Sequence, residues 1–363
     1  MSGPRPRTSI EAIAPYVPGK AKAPGIANPI KLSANENALG TSPLALAAYR
    51  DAAAELHLYP DPGALALRDA LARMHNLDPA RIVFGTGSDE LFSMACIAYL
   101  EPGDNIVQPA HGFAAWAIAA RAVGGEVRNA PERNFTADVD AILSQVDTRT
   151  RIVFLANPAN PTGTWLPFGE IERLQAHLDP SILLVLDEAY IEFGREHLAP
   201  AAGLALTERA PNVLLTRTFS KLHGLAALRI GWGYTTSAIA DALNRFRLPF
   251  NTPRPAQAAA LAALSDNAFI ERSLLLAEAG RERLTELLER QGLTPLPSAT
   301  NFVSARVPAT TSAIAVETTL AERGILVRHL KNYGLPDFLR FTVGTAEQMQ
   351  SLNDALQSAT NQR

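Results

Sequence analysis

Between about Ile82 and Tyr234 the chain alternates seven short apolar runs with stretches long enough to form helices. The runs are Arg81–Phe84, Asn105–Gln108, Gly125–Arg128, Arg151–Leu155, Ile182–Leu186, Asn212–Thr216 and Arg229–Gly233. They are β-branched or leucine-rich and lack the in–out alternation of a strand with one wet face. That pattern fits strands covered on both sides by helices, and the series predicts an α/β fold with a mainly parallel sheet of about seven strands. A single core stops growing at roughly 250–300 residues, so a chain of 363 residues predicts a second domain.

The texture changes after Pro253 and Pro255. Residues 256–291 carry no proline and are rich in Ala, Leu, Glu and Arg, which predicts long helices. A shorter series follows: strand Asn301–Ala305, helix Ile314–Arg323, strands Ile325–Arg328 and Leu339–Val343, and helix Ala346–Ala359. The expected organisation is an arm over residues 1–40 that belongs to the small domain, a large domain over 41–253, and a smaller α+β domain over 254–363.

Charge and cysteine content exclude several classes. Lys and Arg number 33 against 36 Asp and Glu, a net charge of -3. That balance gives no basic field for nucleic acid. The lone Cys96 cannot form an intrachain disulfide or a multi-cysteine metal site, and its apolar surroundings predict a buried small hydrophobe. No His-Glu-x-x-His or comparable metal spacing occurs, so no metal is expected. The first twenty residues have no apolar core of a signal peptide, and no apolar stretch is long enough to span a bilayer. A cytoplasmic location is expected.

In an open parallel sheet, ligands bind beyond the carboxyl ends of the strands. After Val83-Phe84 comes Gly85-Thr-Gly-Ser-Asp-Glu90, a turn into a helix that suits a phosphate but is neither a dinucleotide fingerprint nor a Walker loop. Asn157-Pro-Ala-Asn-Pro-Thr-Gly163 follows the fourth run and holds the amide of Asn160 at a strand end. Asp187-Glu-Ala-Tyr190 ends the fifth, and an acid there is costly unless paired. Arg217-Thr-Phe-Ser-Lys221 ends the sixth, with Arg229 eight residues further on. Taken singly, each has a plainer explanation: a tight turn, a rigid Asn-Pro turn, a helix cap, a solvated lysine. Together they place phosphate donors, an amide, an acid with a tyrosine, and a lysine at successive strand ends. Pyridoxal 5′-phosphate would use all of them, because its binding signature is a Schiff-base lysine with an acidic partner for the ring nitrogen.

On these motifs the chain resembles the fold-type I pyridoxal-phosphate aminotransferases, and within them the histidinol-phosphate aminotransferase family. The likeness also takes in Pro15–Lys20, Lys31–Asn37, Tyr59–Pro62, Thr300–Val303, Gly324–Arg328 and Leu339–Gly344. It implies that Lys221 forms the aldimine and moves the proton, and that Asp187 pairs with the pyridinium nitrogen. Asn160 and Tyr190 would bond the 3′-oxygen, while Ser88, Asp89, Thr218, Ser220 and Arg229 would hold the phosphate. Tyr59 would reach the phosphate in a neighbouring subunit, since the family forms homodimers with shared sites. Arg340 and Arg328 would bind substrate anions, with Tyr16 and Asn35 of the arm near the mouth. The chain departs from many relatives at His111, which stands where they carry a tyrosine or phenylalanine stacked on the ring. The implied reaction is ping-pong transfer of an amino group between L-histidinol phosphate and 2-oxoglutarate in histidine biosynthesis. An aromatic amino-acid aminotransferase, a threonine-phosphate decarboxylase-like enzyme and a non-catalytic cofactor-binding regulator are the alternatives.

Overall fold

The computed structural model describes residues 3–23 and 25–360, so the extreme ends of the expected arm and C-terminal segment, and Pro24, lie outside the described residues. Strand β1 (Ile30–Lys31) lies in the N-terminal segment. Seven strands then form the main sheet: β2 (Ile82–Gly85), β3 (Asn105–Pro109), β4 (Glu126–Ala130), β7 (Thr150–Ala156), β8 (Leu183–Asp187), β9 (Val213–Thr218) and β10 (Gly231–Tyr234). Between β4 and β7 a small ribbon pairs β5 (Glu132–Arg133) with β6 (Thr136–Ala137).

The spatial order is β2-β10-β9-β8-β7-β3-β4. Neighbours are parallel except β10, which runs antiparallel to both β2 and β9. β2 and β9 therefore point the same way, and the chain enters β10 at the edge of the sheet where β2, β7, β8 and β9 end. That reversal brings Arg229, just ahead of β10, to the carboxyl ends of the parallel strands. Six of the seven apolar runs lie in strands buried almost throughout. β4 is different: it lies at one edge and is half-exposed, with polar Glu126, Arg128 and Asn129 along it, whereas β2 at the other edge is buried.

Helices cover both faces. One face packs Phe92, Trp116 and Phe154 around Cys96. Trp116 stacks on Phe154 at 5.2 Å, and Phe92 meets each of them edge-on. Burying each such ring is worth up to about 3 kcal/mol. Burial pushes the Cys96 thiol up to about 12, so it packs as a small hydrophobe.

Beyond the main sheet, helices Arg254–Ser265 and Asn267–Arg290 meet at Asp266, whose carboxylate caps the second by accepting from Phe269 N–H at 3.1 Å. Four strands form an antiparallel sheet in the order β11-β12-β15-β14: β11 (Thr294–Pro295), β12 (Phe302–Arg306), β14 (Arg328–His329) and β15 (Phe338–Thr342). The short β13 (Ile325–Leu326) pairs in parallel with β1. Leu32 then accepts from Thr342 N–H at 2.9 Å, so residues 30–32 are tied to the C-terminal sheet. This anchorage holds residues 33–35 over the carboxyl edge of the main sheet.

Candidate active site

A cavity of about 390 Å³ opens at that edge, between the main sheet and the C-terminal one. Lys221, Asp187, Tyr190 and Asn160 line it, as do Ser88, Asp89, Thr218, Ser220 and Arg229. The arm contributes Tyr16 and Asn35, and β14 and β15 contribute Arg328 and Arg340. Thirteen of the residues singled out from sequence thus share one space. Two do not.

His111 faces a neighbouring cavity instead. Its Nδ1 lies 2.6 Å from the carbonyl of Tyr333, and its ring stacks on Phe135 at 6.2 Å. The aromatic from the same segment that lines the main cavity is Phe113. Tyr59 is 78% exposed and stacks on Phe250 at 4.6 Å, away from the cavity.

One end of the cavity is built for an anion. Helix Ser88–Tyr99 begins there, its first N–H groups free of helical partners. Thr218 donates to Ser220 Oγ at 2.9 Å, and Arg229 Nη1 donates to the same oxygen at 3.3 Å. Ser220 Oγ thus accepts twice, leaving its own proton for another acceptor. Gly87 is required here on two grounds: its φ is +80°, and a Cβ would lie 2.4 Å from Arg229 Nη2. Arg229 also pairs with the Asp89 carboxylate at 3.3 Å.

At the floor, Asp187 ends β8 and is only 7% exposed. Its carboxylate accepts from Ala189 N–H at 3.1 Å and from the Thr216 hydroxyl at 3.4 Å. No cation is recorded against it among the described residues, and burial pushes its carboxyl up to about 7. Directly behind it, Glu188 and Arg217 form a buried ion pair, with Oε2 accepting from Nε at 3.0 Å and Nη2 at 2.8 Å. The pair keeps a second buried acid neutralised without adding a net charge behind Asp187.

Lys221 Nζ reaches the carbonyl of Ala34 at 3.3 Å and lies 5.7 Å from the Tyr190 ring centre. Also lining the cavity, Arg328 and Arg340 face each other directly across the β14–β15 ladder, both 6% exposed. Neither has a carboxylate partner among the described residues. Arg340 Nη1 donates to Asn160 Oδ1 and Nη2 to Ser33 O at 3.1 Å, while its Nε has no partner among the described residues. Arg328 Nη2 donates to Val17 O at 2.6 Å. Burial and the neighbouring Arg328 both lower the Arg340 pKa. Two buried like charges facing one space are stable only with an anion to share.

Several contributors were not visible in the sequence. The carbonyls of Ser33 and Ala34 are backbone groups and leave no side-chain signal. The Glu188–Arg217 pair joins residues 29 apart, and only the β8–β9 register brings them together. Phe113 could have been found by asking which ring in Pro109–Phe113 faces the sheet edge.

The fold and this site define an aminotransferase class. The family "Aminotransferase class I and II" matches residues 27–356, and the chain belongs to it. Within it the chain is 52% identical to histidinol-phosphate aminotransferase 1 of Caulobacter vibrioides, over 97% of this chain and 98% of the relative. It is 48% identical to the histidinol-phosphate aminotransferase of Rhodospirillum centenum, covering 98% of each chain. The crystal structure of histidinol-phosphate aminotransferase from Sinorhizobium meliloti in complex with pyridoxal-5′-phosphate superposes with a TM-score of 0.91 at 32% identity, over 99% of this chain and 98% of that one.

Proposed function

We propose that the chain is a pyridoxal-phosphate-dependent aminotransferase that exchanges an amino group between L-histidinol phosphate and 2-oxoglutarate, in histidine biosynthesis. The observation that carries this reading is the pair of buried arginines that line the same cavity as Lys221 and have no carboxylate partner among the described residues. A guanidinium fork accepts a carboxylate or a phosphate in two-point fashion. One wall can therefore serve the phosphate of the donor and the carboxylates of the acceptor in turn, as a ping-pong exchange demands.

The residues also suit the cofactor. The helix start, Thr218, Ser220 and Arg229 form a phosphate cradle, and a Cβ on Gly87 would close it. Asp187 is a buried acid with no cation recorded against it among the described residues, which a ring N–H⁺ would satisfy. When bound, the cofactor supplies an aldehyde that combines with amines and a protonated ring that accepts electrons. Lys221 Nζ supplies the resident amine and takes the proton from the donor's Cα. Asp187 holds the ring-nitrogen proton. Asn160 Oδ1 is occupied by Arg340, so its Nδ2 points a donor elsewhere; with the Tyr190 hydroxyl it serves the phenolic oxygen. Arg340 grips the carboxylate of 2-oxoglutarate and shares the donor's phosphate. Arg328, tied to the arm at Val17, leans to that phosphate, with Tyr16 at the mouth and Asn35 set deeper, bonded to the Tyr190 hydroxyl.

Arg328→Ala tests the substrate. Losing a charge-assisted hydrogen bond costs about 1.5–3 kcal/mol, or roughly one to two decades of kcat/KM. The loss falls on histidinol phosphate and spares phenylalanine, whereas Arg340→Ala harms every substrate. A steady-state donor panel reads both. A wild type that prefers phenylalanine, or an Arg328→Ala enzyme still at full rate on histidinol phosphate, transfers the reading to an aromatic aminotransferase.

The reading includes a cytoplasmic homodimer in which Tyr59 completes the neighbour's site. Its support is a cluster of exposed apolar side chains around Tyr59, with Leu56 66% and Leu248 67% exposed. Such a patch marks an interaction surface. Mixed dimers of Lys221→Ala and Tyr59→Ala chains then regain activity over either parent, because one of their two sites has both residues. Mixed subunits no more active than the Tyr59→Ala chains they contain would refute the shared site.

A further inference from the structure

Two side chains from distant parts of the chain, Asn35 and Thr342, form a short wire behind Tyr190. Asn35 is 1% exposed and adopts φ 55°, a left-handed conformation that asparagine tolerates. Its backbone N–H donates to Thr342 Oγ1 at 3.0 Å. The Thr342 hydroxyl in turn donates to Asn35 Oδ1 at 3.2 Å. Asn35 Nδ2 then donates to the Tyr190 oxygen at 2.9 Å.

These bonds have a direction. Thr342 Oγ1 already accepts from the Asn35 backbone, and no acceptor other than Asn35 Oδ1 is recorded for its proton among the described residues. A turned Asn35 amide would strand that proton in a buried place, which is costly. The amide is therefore held with Nδ2 towards Tyr190, whose oxygen must accept. No acceptor is recorded for the Tyr190 proton among the described residues, which leaves it the cavity to donate to.

We propose that Thr342 acts, through Asn35, as a positioning residue that aims the Tyr190 hydroxyl proton into the cavity and thereby favours the ionised state of the cofactor's phenolic oxygen. The proposal rests on the cofactor assignment made above. The charged groups recorded against Tyr190 are Lys221, after β9, and Arg340, on β15. Helix Asn267–Arg290 and β12 contribute Leu274, Ala277 and Phe302 to its surroundings. Lys221 and Arg340 stay unchanged in every variant below, so a shift reports on the hydrogen-bond wire.

The readout is the pH midpoint of the visible absorption of enzyme reconstituted with pyridoxal 5′-phosphate. Thr342→Val keeps the shape but removes the donor, so the Asn35 amide can turn and present Oδ1 to Tyr190. The Tyr190 proton is then diverted, and the ionised oxygen loses its donor. The midpoint rises by about one to two pH units. Thr342→Ser keeps the hydroxyl and the wild-type midpoint. Asn35→Ala removes the competing amide altogether and also keeps it low, which mere loosening of the site would not do. An unshifted Thr342→Val, or a raised midpoint in Thr342→Ser or Asn35→Ala, overturns the proposal. A wild-type enzyme with no pH-dependent band overturns the cofactor reading beneath it.

Discussion

Lys221→Ala enzyme is expected to lose transamination by roughly four decades or more, the largest effect of any single substitution in this chain. The residue combines two functions, a covalent amine and a proton carrier, and general acid–base work alone contributes about 10²–10⁴-fold. Its setting supports both. Nζ has one recorded hydrogen bond, to the Ala34 carbonyl at 3.3 Å, and no carboxylate partner among the described residues. An amine held by a neutral carbonyl, beside the Tyr190 ring, is not committed to an ion pair and is available to react. The cradle at Thr218, Ser220 and Arg229 does not depend on the lysine side chain. The variant therefore still binds the cofactor, more weakly, and its visible absorption no longer titrates with pH. Turnover near the wild-type rate would remove Lys221 from the reaction.

The sheet was legible because buried parallel strands leave a signature that needs no long-range information. Ile152–Leu155 and Ile182–Leu186 are apolar without alternation, and each becomes a strand covered on both faces. The exception is instructive. The Gly125–Arg128 run was read like the rest, yet β4 carries exposed Glu126 and half-buried Val127 and Arg128. Edge position alone does not account for it, since β2 at the other edge is buried; β4 itself carries Glu126, Arg128 and Asn129. The site was legible for a related reason. Chemistry-bearing residues sit at the ends of strands that share a direction, so position along the chain translates into position in space.

What stayed hidden depends on contacts between distant segments. Asn160 and Arg340 are 180 residues apart and share a hydrogen bond. Asn35 and Thr342 are 307 apart. No spacing rule connects such pairs; only the parallel pairing of β1 with β13 and the threading of residues 30–35 does. His111 shows the limit of transferring a role by position. Its place in the motif pointed to the ring-stacking side chain, but the Tyr333 carbonyl captures its Nδ1 and turns the imidazole to Phe135. One hydrogen bond to a residue 222 positions away redirects it.

Asp187→Asn separates function from stability, because the two respond with opposite signs. The neutral amide can still accept from Ala189 N–H and the Thr216 hydroxyl through Oδ1, so the local turn survives. What disappears is the negative charge that keeps a ring nitrogen protonated. Activity should fall by at least about two orders of magnitude in kcat, or about 2.7 kcal/mol. In cofactor-free protein the charge has the reverse effect. Burial first, then the nearby Asp89 charge, raises the Asp187 pKa from an ordinary 3.8 to about 7 against the pull of its two donors. An acid raised in the folded state contributes full stability below its unfolded pKa and loses it as pH rises through the folded value. Cofactor-free wild type therefore weakens between about pH 4 and pH 7, and Asp187→Asn does not. At pH 8 the variant should be the more stable by up to about 4 kcal/mol, with the gap closing towards pH 4. Thermal melts of both proteins across that range, with and without pyridoxal phosphate, read the difference directly. If Asp187 were only a cap for the turn at Ala189, the variant would keep its activity to within a few-fold. Activity kept in that way would remove the acid from the role of ring partner, whereas an unchanged stability at pH 8 would show that burial does not raise its carboxyl.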